Sequence, residues 1–464
     1  MKTKFGKGIV SGLALAFAIC VAASANAATL YVSNTGSCGG NPIYSPTIQA
    51  AVNASVLNGV VKVCPGIYQE QVTINKSLTL EGFTVGTGNQ AVITAPNGLS
   101  PYFGFLNMTT SLTSSNQIAA QILVQDAAKV NISDVVVDGS TNNISTCKPE
   151  LIGIYYQNSS GVINHVVTRH QDGAFSGCES GYGIFAQSGD DVAFPAGGTS
   201  VVAVDNSNVH DFDFAGITGN EAGTKLTVLG NLVRGTILPL PTRGCQNAGQ
   251  TYSPTNTPDL SCGSPQIGIQ IGFQATGAIT GNTVIDLLWP DTNSEASGMQ
   301  AYDASGITMS TNHVGSTQYG ISAVADGSGI ADNEVISSNV VDGTQVLDGI
   351  DVCGSNGSTV KLNTVRNSKQ SAIHLDASCT SAVASQGGTT TVSGNIINEA
   401  CVAVLNNTGT SNTNTDLAVN TNNVVYTTLT GTDTFTCVHP SGGDVAVPAL
   451  TAGSGQKKPH GARP

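Results

Sequence analysis

The chain has 464 residues, of which 10% are charged and 5% aromatic, and its formal net charge is −13. Such an acidic chain lacks the basic surface that phosphate binding needs, which counts against nucleic acid as a partner. An acidic polysaccharide would also be repelled unless a cation such as Ca²⁺ bridged it to the protein, and we expect no other cofactor.

The N-terminal residues have the pattern of a secretory signal peptide. Lys2, Lys4 and Lys7 precede an uncharged run over 8–21, and Ala25-Asn26-Ala27 has the form of a cleavage site. A membrane anchor is the alternative, but the run is shorter than the roughly 20 residues that a spanning helix needs, and no later stretch is apolar enough. We therefore predict that residues 1–27 are removed and that the protein is secreted, either to the periplasm or outside the cell.

Of the 11 cysteines, ten follow that cleavage site, and an even number in a secreted chain predicts disulfides. Sequence alone cannot choose among the pairings, although pairing in chain order would mostly join neighbouring repeats of the kind described below. The pairs would be Cys38 with Cys64, Cys147 with Cys178, Cys245 with Cys262, Cys353 with Cys379, and Cys401 with Cys437. There is no Cys-x-x-Cys motif, so the sequence predicts no metal site.

One segment, residues 45–56, has the pattern of an amphipathic helix. Ser45 suits the N-cap and Pro46 suits the first helical position. The residues that share one face are Ile48, Ala51, Val52, Ser55 and Val56. This apolar face must pack against other apolar residues, and the strands that follow can provide them.

Three short alternating strands follow this helix, at 60–63, 72–74 and 78–80. The helix run Thr47-Ile48-Gln49-Ala50-Ala51-Val52, together with residues 65–82, resembles the opening of pectin-lyase-like β-helix proteins, and of pectinesterases in particular. The resemblance covers residues 28–95. It implies a right-handed parallel β-helix whose open end is capped by the helix, and it is specific for fold rather than for activity.

Two sequence markers recur along the rest of the chain. Asn followed two positions later by Val or Ile occurs at Asn164, Asn231, Asn282, Asn312, Asn339, Asn363, Asn395 and Asn423, with Asp134 and Ser207 in the same slot. Gly followed by Ile or Met occurs at Gly153, Gly183, Gly216, Gly268, Gly298, Gly320 and Gly349, with Ala372 as a degenerate copy. In three coils the step from Gly to Asn is 14 residues. Each repeat is therefore interpreted as one coil of a solenoid.

The predicted fold class is all-β, a right-handed parallel β-helix with a short N-terminal capping helix, and we expect a monomer. The cap and first coils occupy 28–118, the repeat domain 119–440 and a disordered tail 441–464, and residues 236–266 form a loop that leaves the stack. The marker Asn is expected at a sharp turn, because it tolerates a left-handed conformation and can bond to its neighbour in the next coil. Its role is then structural.

Side chains alternate along a strand, so the residue after the Ile of the Gly marker should point away from the core. Successive coils would place these residues in one outer column, consisting of Tyr155, Phe185, Thr218, Gln270, Gln300, Ser322, Asp351 and His374. Rings and amides repeated at about 4.8 Å per coil suit an extended sugar chain. The column is therefore a candidate substrate-binding surface. The alternative is a solvated ladder that only prevents edge pairing.

A second group of ionisable residues follows the Asn turns of neighbouring coils. Its candidates for catalysis are His170, Asp211, Asp213, Arg234 and Asp286. Carboxylates one or two coils apart can act as general acid and base in glycoside hydrolysis, or hold Ca²⁺ for a lyase. The alternative is that Asp is present because turns favour it. Trp289, the only tryptophan, is a candidate sugar platform or a lid over the core.

These patterns predict a secreted carbohydrate-active protein that binds, and can cleave or modify, a polysaccharide or cell-surface glycan along an outer face. The signatures of the families that it resembles are incomplete. Asp190-Asp191 matches the D-D pair of polygalacturonases, but their G-H-G and R-I-K runs and the G-R-P-W run of pectinesterases are absent. The second hypothesis is a non-catalytic surface or adhesion module in which the β-helix is a rigid spacer.

Overall fold

The computed structural model describes most of the chain between residues 28 and 428. The described residues are 28–36, 38–83, 90–96, 108–114, 116–144, 148–171, 180–189, 198–235, 266–287, 296–326, 329–344, 347–368, 370–376, 379, 390–398, 400 and 402–406, with the backbone of 413–415, 418–419 and 427–428. The predictions for residues 1–27, 236–265 and 441–464 fall outside these ranges.

Three long parallel sheets make up the described part of the chain. Sheet A contains β1 (Thr29–Val32), β2 (Ile43–Ser45), β3 (Gly59–Val63), β6 (Leu78–Gly82), β10 (Val130–Ser133), β13 (Gly161–Asn164), β16 (Ser200–Asp205), β19 (Thr224–Leu229), β22 (Thr276–Thr280), β25 (Thr308–Ser310), β28 (Val335–Ser337), β31 (Thr359–Lys361), β34 (Thr391–Ser393) and β37 (Thr413–Thr415). Sheet B contains β4 (Gly66–Gln69), β7 (Ala91–Thr94), β11 (Val135–Asp138), β14 (Val167–Gln171), β17 (Asn208–Phe212), β20 (Leu232–Arg234), β23 (Thr283–Leu287), β26 (His313–Thr317), β29 (Val340–Thr344), β32 (Thr364–Arg366), β35 (Ile396–Asn398) and β38 (Ala418–Val419). Sheet C contains β5 (Val72–Ile74), β9 (Gln117–Gln125), β12 (Glu150–Gln157), β15 (Tyr182–Gln187), β18 (Ala215–Asn220), β21 (Ile267–Gly272), β24 (Ser297–Tyr302), β27 (Tyr319–Val324), β30 (Ile350–Cys353), β33 (Ser371–Asp376), β36 (Val402–Asn406) and β39 (Thr427–Thr428), and β8 (Thr109–Thr110) joins β9 antiparallel.

The chain visits sheets A, B and C in turn, and each circuit stacks on the one before it, so the predicted right-handed parallel β-helix is confirmed. Strand β19 shows how the interior is filled: Leu226 and Val228 are buried while Lys225 is exposed. One continuous apolar core runs along the axis from Val32 to Val404. Neighbouring coils therefore share a single interior, as expected of a solenoid.

The Gly marker is explained by packing at the edge of sheet C. A Cβ atom on Gly298 would lie 2.5 Å from Cγ1 of Val314 and 2.6 Å from the carbonyl oxygen of Gly320. On Gly320 it would lie 2.5 Å from Cγ1 of Val341. Val314 and Val341 are the apolar residues of the Asn marker, so the two markers pack against each other across the coil, both where they are 14 residues apart, as from Gly298, and where they are 19 apart, as from Gly320.

The Asn marker forms a buried ladder along the turn between sheets A and B. Its members in the described residues are Asn231, Asn282, Asn312, Asn339, Asn363 and Asn395, each no more than 2% exposed. Nδ2 of Asn312 donates to Oδ1 of Asn339 at 3.0 Å, and Oδ1 of Asn312 accepts from the backbone N–H of Asn282 at 2.9 Å. The predicted structural role is confirmed.

Two details of the marker prediction are wrong. The left-handed residue is the one before each ladder Asn, as at Thr311 with φ of 56°, so the Asn itself is free to bond between coils. Asn164 and Asp134 also lie outside the ladder, because Asn164 ends β13 before the turn and Asp134 is itself the left-handed residue. Ser207 does occupy the ladder slot, and its N–H donates to Oδ1 of Asn231 at 2.8 Å.

The capping helix α1 spans Ile48–Ala54 and begins two residues after Pro46, the predicted first helical residue. Ser45 ends β2, and the N-cap residue is Thr47, whose side chain makes no capping hydrogen bond. The carboxylate of Glu70 takes that role, accepting from the N–H groups of Ile48 at 2.8 Å and Gln49 at 3.0 Å. No helix among the described residues has the length and hydropathy of a membrane span.

Replacing Glu70 with alanine should therefore lower the free energy of unfolding by about 1–2 kcal/mol, because two N–H groups at the helix start lose their acceptor. Urea titration of both proteins measures the difference. Glu81→Ala is the matched control, since Glu81 forms a half-exposed pair with Lys62 at 3.2 Å, and such pairs contribute about 0–1 kcal/mol. Equal effects of the two substitutions would contradict the capping role of Glu70.

Two of the five disulfides predicted from chain order lie in the described residues, and both are confirmed. Cys38 is bonded to Cys64 and Cys353 to Cys379, with Cα atoms 5.5 and 5.7 Å apart. Cys353 belongs to β30, and Cys379 follows β33 in the next coil, so this bond joins neighbouring coils. The other six cysteines lie outside the described residues.

Candidate functional site

Sheet B carries a group of ionisable side chains on its outer face, which we call the sheet B charged row. Its members are Arg169, His170, His210, Asp211, Arg234 and Asp286. The strand register places Arg169, His210 and Arg234 next to one another in consecutive coils. Four of the five predicted catalytic residues, all but Asp213, therefore lie in this row.

The row is two residues wide because each of three strands has an extra outward position. His170, Asp211 and Asp286 have φ values of 56°, 53° and 62°, a left-handed conformation that is uncommon outside glycine. The following residue in each case is buried, at Gln171, Phe212 and Leu287. Each turn thus presents a polar side chain outward before the chain returns to the core.

His210 and Asp211 form the closest pair in the row. Nδ1 of His210 lies 2.7 Å from Oδ2 of Asp211, and the two side chains are 15% and 20% exposed. The hydrogen bond from His210 lowers the pKa of Asp211 below its usual value; burial opposes this, while the charges of His210, His170 and Arg234 add to it. Asp211 is therefore an ionised, half-exposed carboxylate that orients an imidazole.

Arg234 differs from the other arginines of the same outward column. Arg169 is paired with Asp138 at 2.7 Å, and Arg366 is paired with Asp342 at 3.1 Å. Arg234 has no such ion pair among the described residues, and its Nε, like that of Arg366, is buried without a hydrogen-bond partner there. The guanidinium group beside the His210 and Asp211 pair is thus available to bind an anionic group.

Two predicted residues are not part of this arrangement. Asp213 lies beyond the buried Phe212, on the turn toward sheet C, where a Cβ atom on Gly181 would lie 2.8 Å from its Cβ. Asp213 follows Phe212 outside β17, so the structure does not place it in the row, and its catalytic role stays a prediction. Trp289 lies outside the described residues.

The register of the predicted outer column on sheet C is as expected. Each member pairs with the next in the neighbouring coil, from Tyr155 with Phe185 to Asp351 with His374. The side chains leave the central core, but the expectation that they face solvent is wrong. All of them are at most 3% exposed: Tyr155, Phe185, Thr218, Gln270, Gln300, Ser322, Asp351 and His374.

A second packed layer accounts for much of this burial. The rings of Tyr155 and Phe185 lie 5.4 Å apart and pack with Tyr182 and Phe214 in an apolar cluster outside the core. The amides bond to each other: Nε2 of Gln300 donates to Oε1 of Gln270 at 2.6 Å. In this structure the column does not form the open sugar-binding platform that its outward register suggested.

The C-terminal end of the column is an ionisable cluster, which we call the His374 cluster. Nδ1 of His374 lies 2.9 Å from Oδ2 of Asp348, 3.7 Å from Oδ1 of Asp351 and 3.8 Å from Oδ2 of Asp376. Potential ligand atoms of Asp348, Asp351 and His374 all lie within 4.8 Å of one another. Ca²⁺ prefers oxygen ligands alone, so this mixed set is not the calcium site expected from paired carboxylates.

Sequence reasoning missed His210, Asp348 and Asp376. His210 could have been found, because it directly precedes Asp211 and shares the strand register of Arg169. Asp376 follows His374 at the alternate position of the same strand and so shares its face. Asp348 lies before β30 begins, so strand periodicity does not predict which way its side chain points.

The chain is thus a right-handed parallel β-helix protein with a half-exposed charged row on one sheet and a buried ionisable cluster on another. No protein-family model matches it, and no curated protein matches it. Among solved structures it is similar to the GH136 lacto-N-biosidase from Eubacterium ramulus, with 10% identity and a TM-score of 0.54 over 84% of this chain and 67% of that one. It is also similar to the A-module of the mannuronan C-5 epimerase AlgE4 from Azotobacter vinelandii, with 13% identity and a TM-score of 0.48 over 86% and 98% of the two chains. At 10% identity the likeness to the lacto-N-biosidase shows the fold alone.

Proposed function

We propose that this chain is a secreted carbohydrate-active protein that binds a polysaccharide carrying anionic groups and cleaves it at the sheet B charged row. The observation that carries the proposal is the His210 and Asp211 pair beside Arg234, partly exposed on the outer face of two consecutive coils. The disulfides are typical of an exported protein. The similarity in fold to a lacto-N-biosidase supports a sugar substrate.

The row is less acidic than the chain as a whole, because Arg169 and Arg234 balance Asp211 and Asp286 when the histidines are neutral. Arg169, His170, His210 and Arg234 gather on this face, although the whole chain has a formal net charge of −13. Arg234 can therefore bind a carboxylate or sulfate group of a sugar through its planar donors. A bridging cation is not needed at this position.

The proposed chemistry uses the His210 and Asp211 pair and a second carboxylate, that of Asp286. Asp211 holds the imidazole of His210, which can then accept a proton from a sugar hydroxyl or from water. Asp286 lies two coils from Asp211, with Gly235 in the coil between them, so their Cα atoms are about 9.6 Å apart at the usual strand spacing. Inverting glycosidases hold their two carboxyl groups about 6.5–9.5 Å apart with a water molecule between them, and side chains on Cα atoms at this spacing can reach such a separation.

The test is to incubate the purified protein with a panel of neutral, uronate-containing and sulfated polysaccharides and to measure new reducing ends. We expect product from an anionic member of the panel. Asp211→Asn should lower the rate of product formation at least about a hundredfold, because the neutral amide no longer stabilises a protonated His210. Arg234→Gln should weaken binding, more strongly at low salt than at high salt.

Arg366→Gln is the matched control, because Arg366 occupies the same outward column four coils away and is already paired with Asp342. It should change neither product formation nor binding. Equal losses in both arginine variants would point to unspecific charge attraction. Binding without any product would favour the non-catalytic adhesion module, and neither binding nor product on any polysaccharide would contradict the proposal.

A further inference from the structure

The His374 cluster is separate from the sheet B charged row, and it concentrates acidic side chains in the interior of the protein. It holds three carboxylates and one imidazole, and their side chains are at most 4% exposed. Even with His374 protonated, the three ionised carboxylates would leave a net charge of −2. Buried charge of one sign is strongly unfavourable unless something compensates it. Bound protons or a bound cation would compensate this charge.

Its geometry fits a cation with tetrahedral coordination. Bonds of about 2.0–2.1 Å from a tetrahedral metal place its ligand atoms about 3.3–3.4 Å apart. The separations from Nδ1 of His374 are 2.9 Å to Asp348 and 3.7 Å to Asp351, on either side of that value. Small side-chain movements would bring these three donors around one ion. Oδ2 of Asp376 lies nearby, 3.8 Å from Nδ1 of His374.

The donor set selects the class of ion. A neutral imidazole nitrogen combined with carboxylate oxygens suits Zn²⁺ and its first-row neighbours, whereas Ca²⁺ and Mg²⁺ favour sites built from oxygen. There is no cysteine sulfur among the three donors, so the set does not resemble a thiolate zinc finger. This is why a search of the sequence for Cys and His spacing does not find it.

The surrounding residues hold the donors in place. Oδ1 of Asp348 accepts hydrogen bonds from the backbone N–H of Ser371 at 3.0 Å and from its hydroxyl, which leaves Oδ2 directed at His374. Asp351 and His374 are register partners in β30 and β33. The disulfide between Cys353 and Cys379 joins the same two coils. Such support from outside the ligands orients them before an ion binds.

We propose that Asp348, Asp351 and His374 bind a divalent first-row transition metal ion, with Zn²⁺ as the best fit, and that the ion links two neighbouring coils. It supplies the positive charge that the carboxylates need. The site is buried, so its role is to stabilise the C-terminal coils, and it does not depend on activity at sheet B.

The first experiment uses the full chain without a polyhistidine tag. After treatment with EDTA and removal of the chelator, the protein is titrated with Zn²⁺, and bound metal is measured by mass spectrometry. We expect about one Zn²⁺ per chain, a higher melting temperature with Zn²⁺ than without it, and no comparable rise with Ca²⁺. Co²⁺ should bind in the same place with the visible absorption of a tetrahedral ion. Absence of stoichiometric Zn²⁺ and of any thermal shift would overturn the proposal, and so would an equal response to Ca²⁺.

Variants then locate the ion. His374→Gln and Asp351→Asn should each weaken Zn²⁺ binding at least a hundredfold. His210→Gln is the matched control, since among the described residues it removes the other histidine that lies within hydrogen-bond distance of an aspartate, and it should leave the stoichiometry at one. Full Zn²⁺ binding by His374→Gln would overturn the assignment. Should the two cluster variants fail to fold, the Co²⁺ spectrum of the unmodified chain still decides, because an octahedral all-oxygen spectrum contradicts the proposed donors.

Discussion

Replacing Asn312 with alanine is expected to lower the free energy of unfolding by roughly 3–5 kcal/mol. The carboxamide of Asn312 donates to the carbonyl oxygen of Ile279 at 2.9 Å and to Oδ1 of Asn339 at 3.0 Å. It also accepts from the N–H and the Nδ2 of Asn282 at 2.9 and 3.0 Å. The alanine variant would leave these buried groups without the hydrogen bonds that Asn312 makes to them. Because each ladder residue is bonded to the next, the loss also weakens the neighbouring coils. Urea titration followed by circular dichroism measures the loss.

Asn164→Ala provides the control for this prediction. Asn164 has the same marker sequence, but it lies outside the ladder and its side chain bonds only to the exposed His165 and Asn206. Its replacement should change the free energy of unfolding by no more than about 0.5 kcal/mol. If the two alanine variants were equally stable, the ladder could not be a main support of the turn between sheets A and B.

The two markers predicted the fold because each reports a contact that every coil repeats. Asn312 must bond to Asn339, and Gly298 must leave room for Val314, so the spacing in the sequence follows from packing between and within coils. The helix boundary was less predictable. Its cap comes from Glu70, which lies 22 residues further along the chain from Ile48, and no local pattern indicates that contact.

The sequence predicted the strand register of the candidate site residues but not which of their side chains are exposed to solvent. The alternation of side chains correctly placed Tyr155 through His374 in one column. His170, Asp211 and Asp286 instead reach the outer face of sheet B through left-handed residues that interrupt the alternation. Periodicity says only which side chains leave the core. It does not say whether a second layer covers them, as Tyr182 and Phe214 cover the aromatic end of the column. It also does not indicate that an extra left-handed residue widens the charged row.

Replacing Glu334 with glutamine should stabilise the protein increasingly as the pH rises. Glu334 is fully buried, and Oε2 of its carboxyl accepts from the backbone N–H of Ile307 at 2.7 Å. Burial raises the pKa of Glu334 from 4.5 to about 9, and the nearby charge of Asp332 adds to the rise. The carboxyl is therefore protonated in the folded protein at neutral pH.

The sign of the effect follows from proton binding. Between pH 4.5 and about 9 the unfolded chain has lost the proton of Glu334 while the folded chain keeps it, so rising pH favours unfolding by about 1.4 kcal/mol per unit. Glutamine cannot ionise and keeps the carbonyl oxygen that faces Ile307. The two proteins should then be similar at pH 4, and the variant should be more stable by up to roughly 4 kcal/mol at pH 8.

Urea titrations of both proteins at pH 4, 6 and 8 measure this difference, and other titrating groups cancel because the two chains share them. Glu81→Gln is the control, since Glu81 lies half-exposed beside Lys62 and its effect should stay within about 1 kcal/mol at each pH. A gap between Glu334→Gln and the unmodified protein that does not widen with pH would mean that the folded chain holds Glu334 as an ionised carboxylate. The backbone N–H groups of Ile307 and Gly306 would then have to compensate for a fully buried charge, and neutral donors offset only part of that cost.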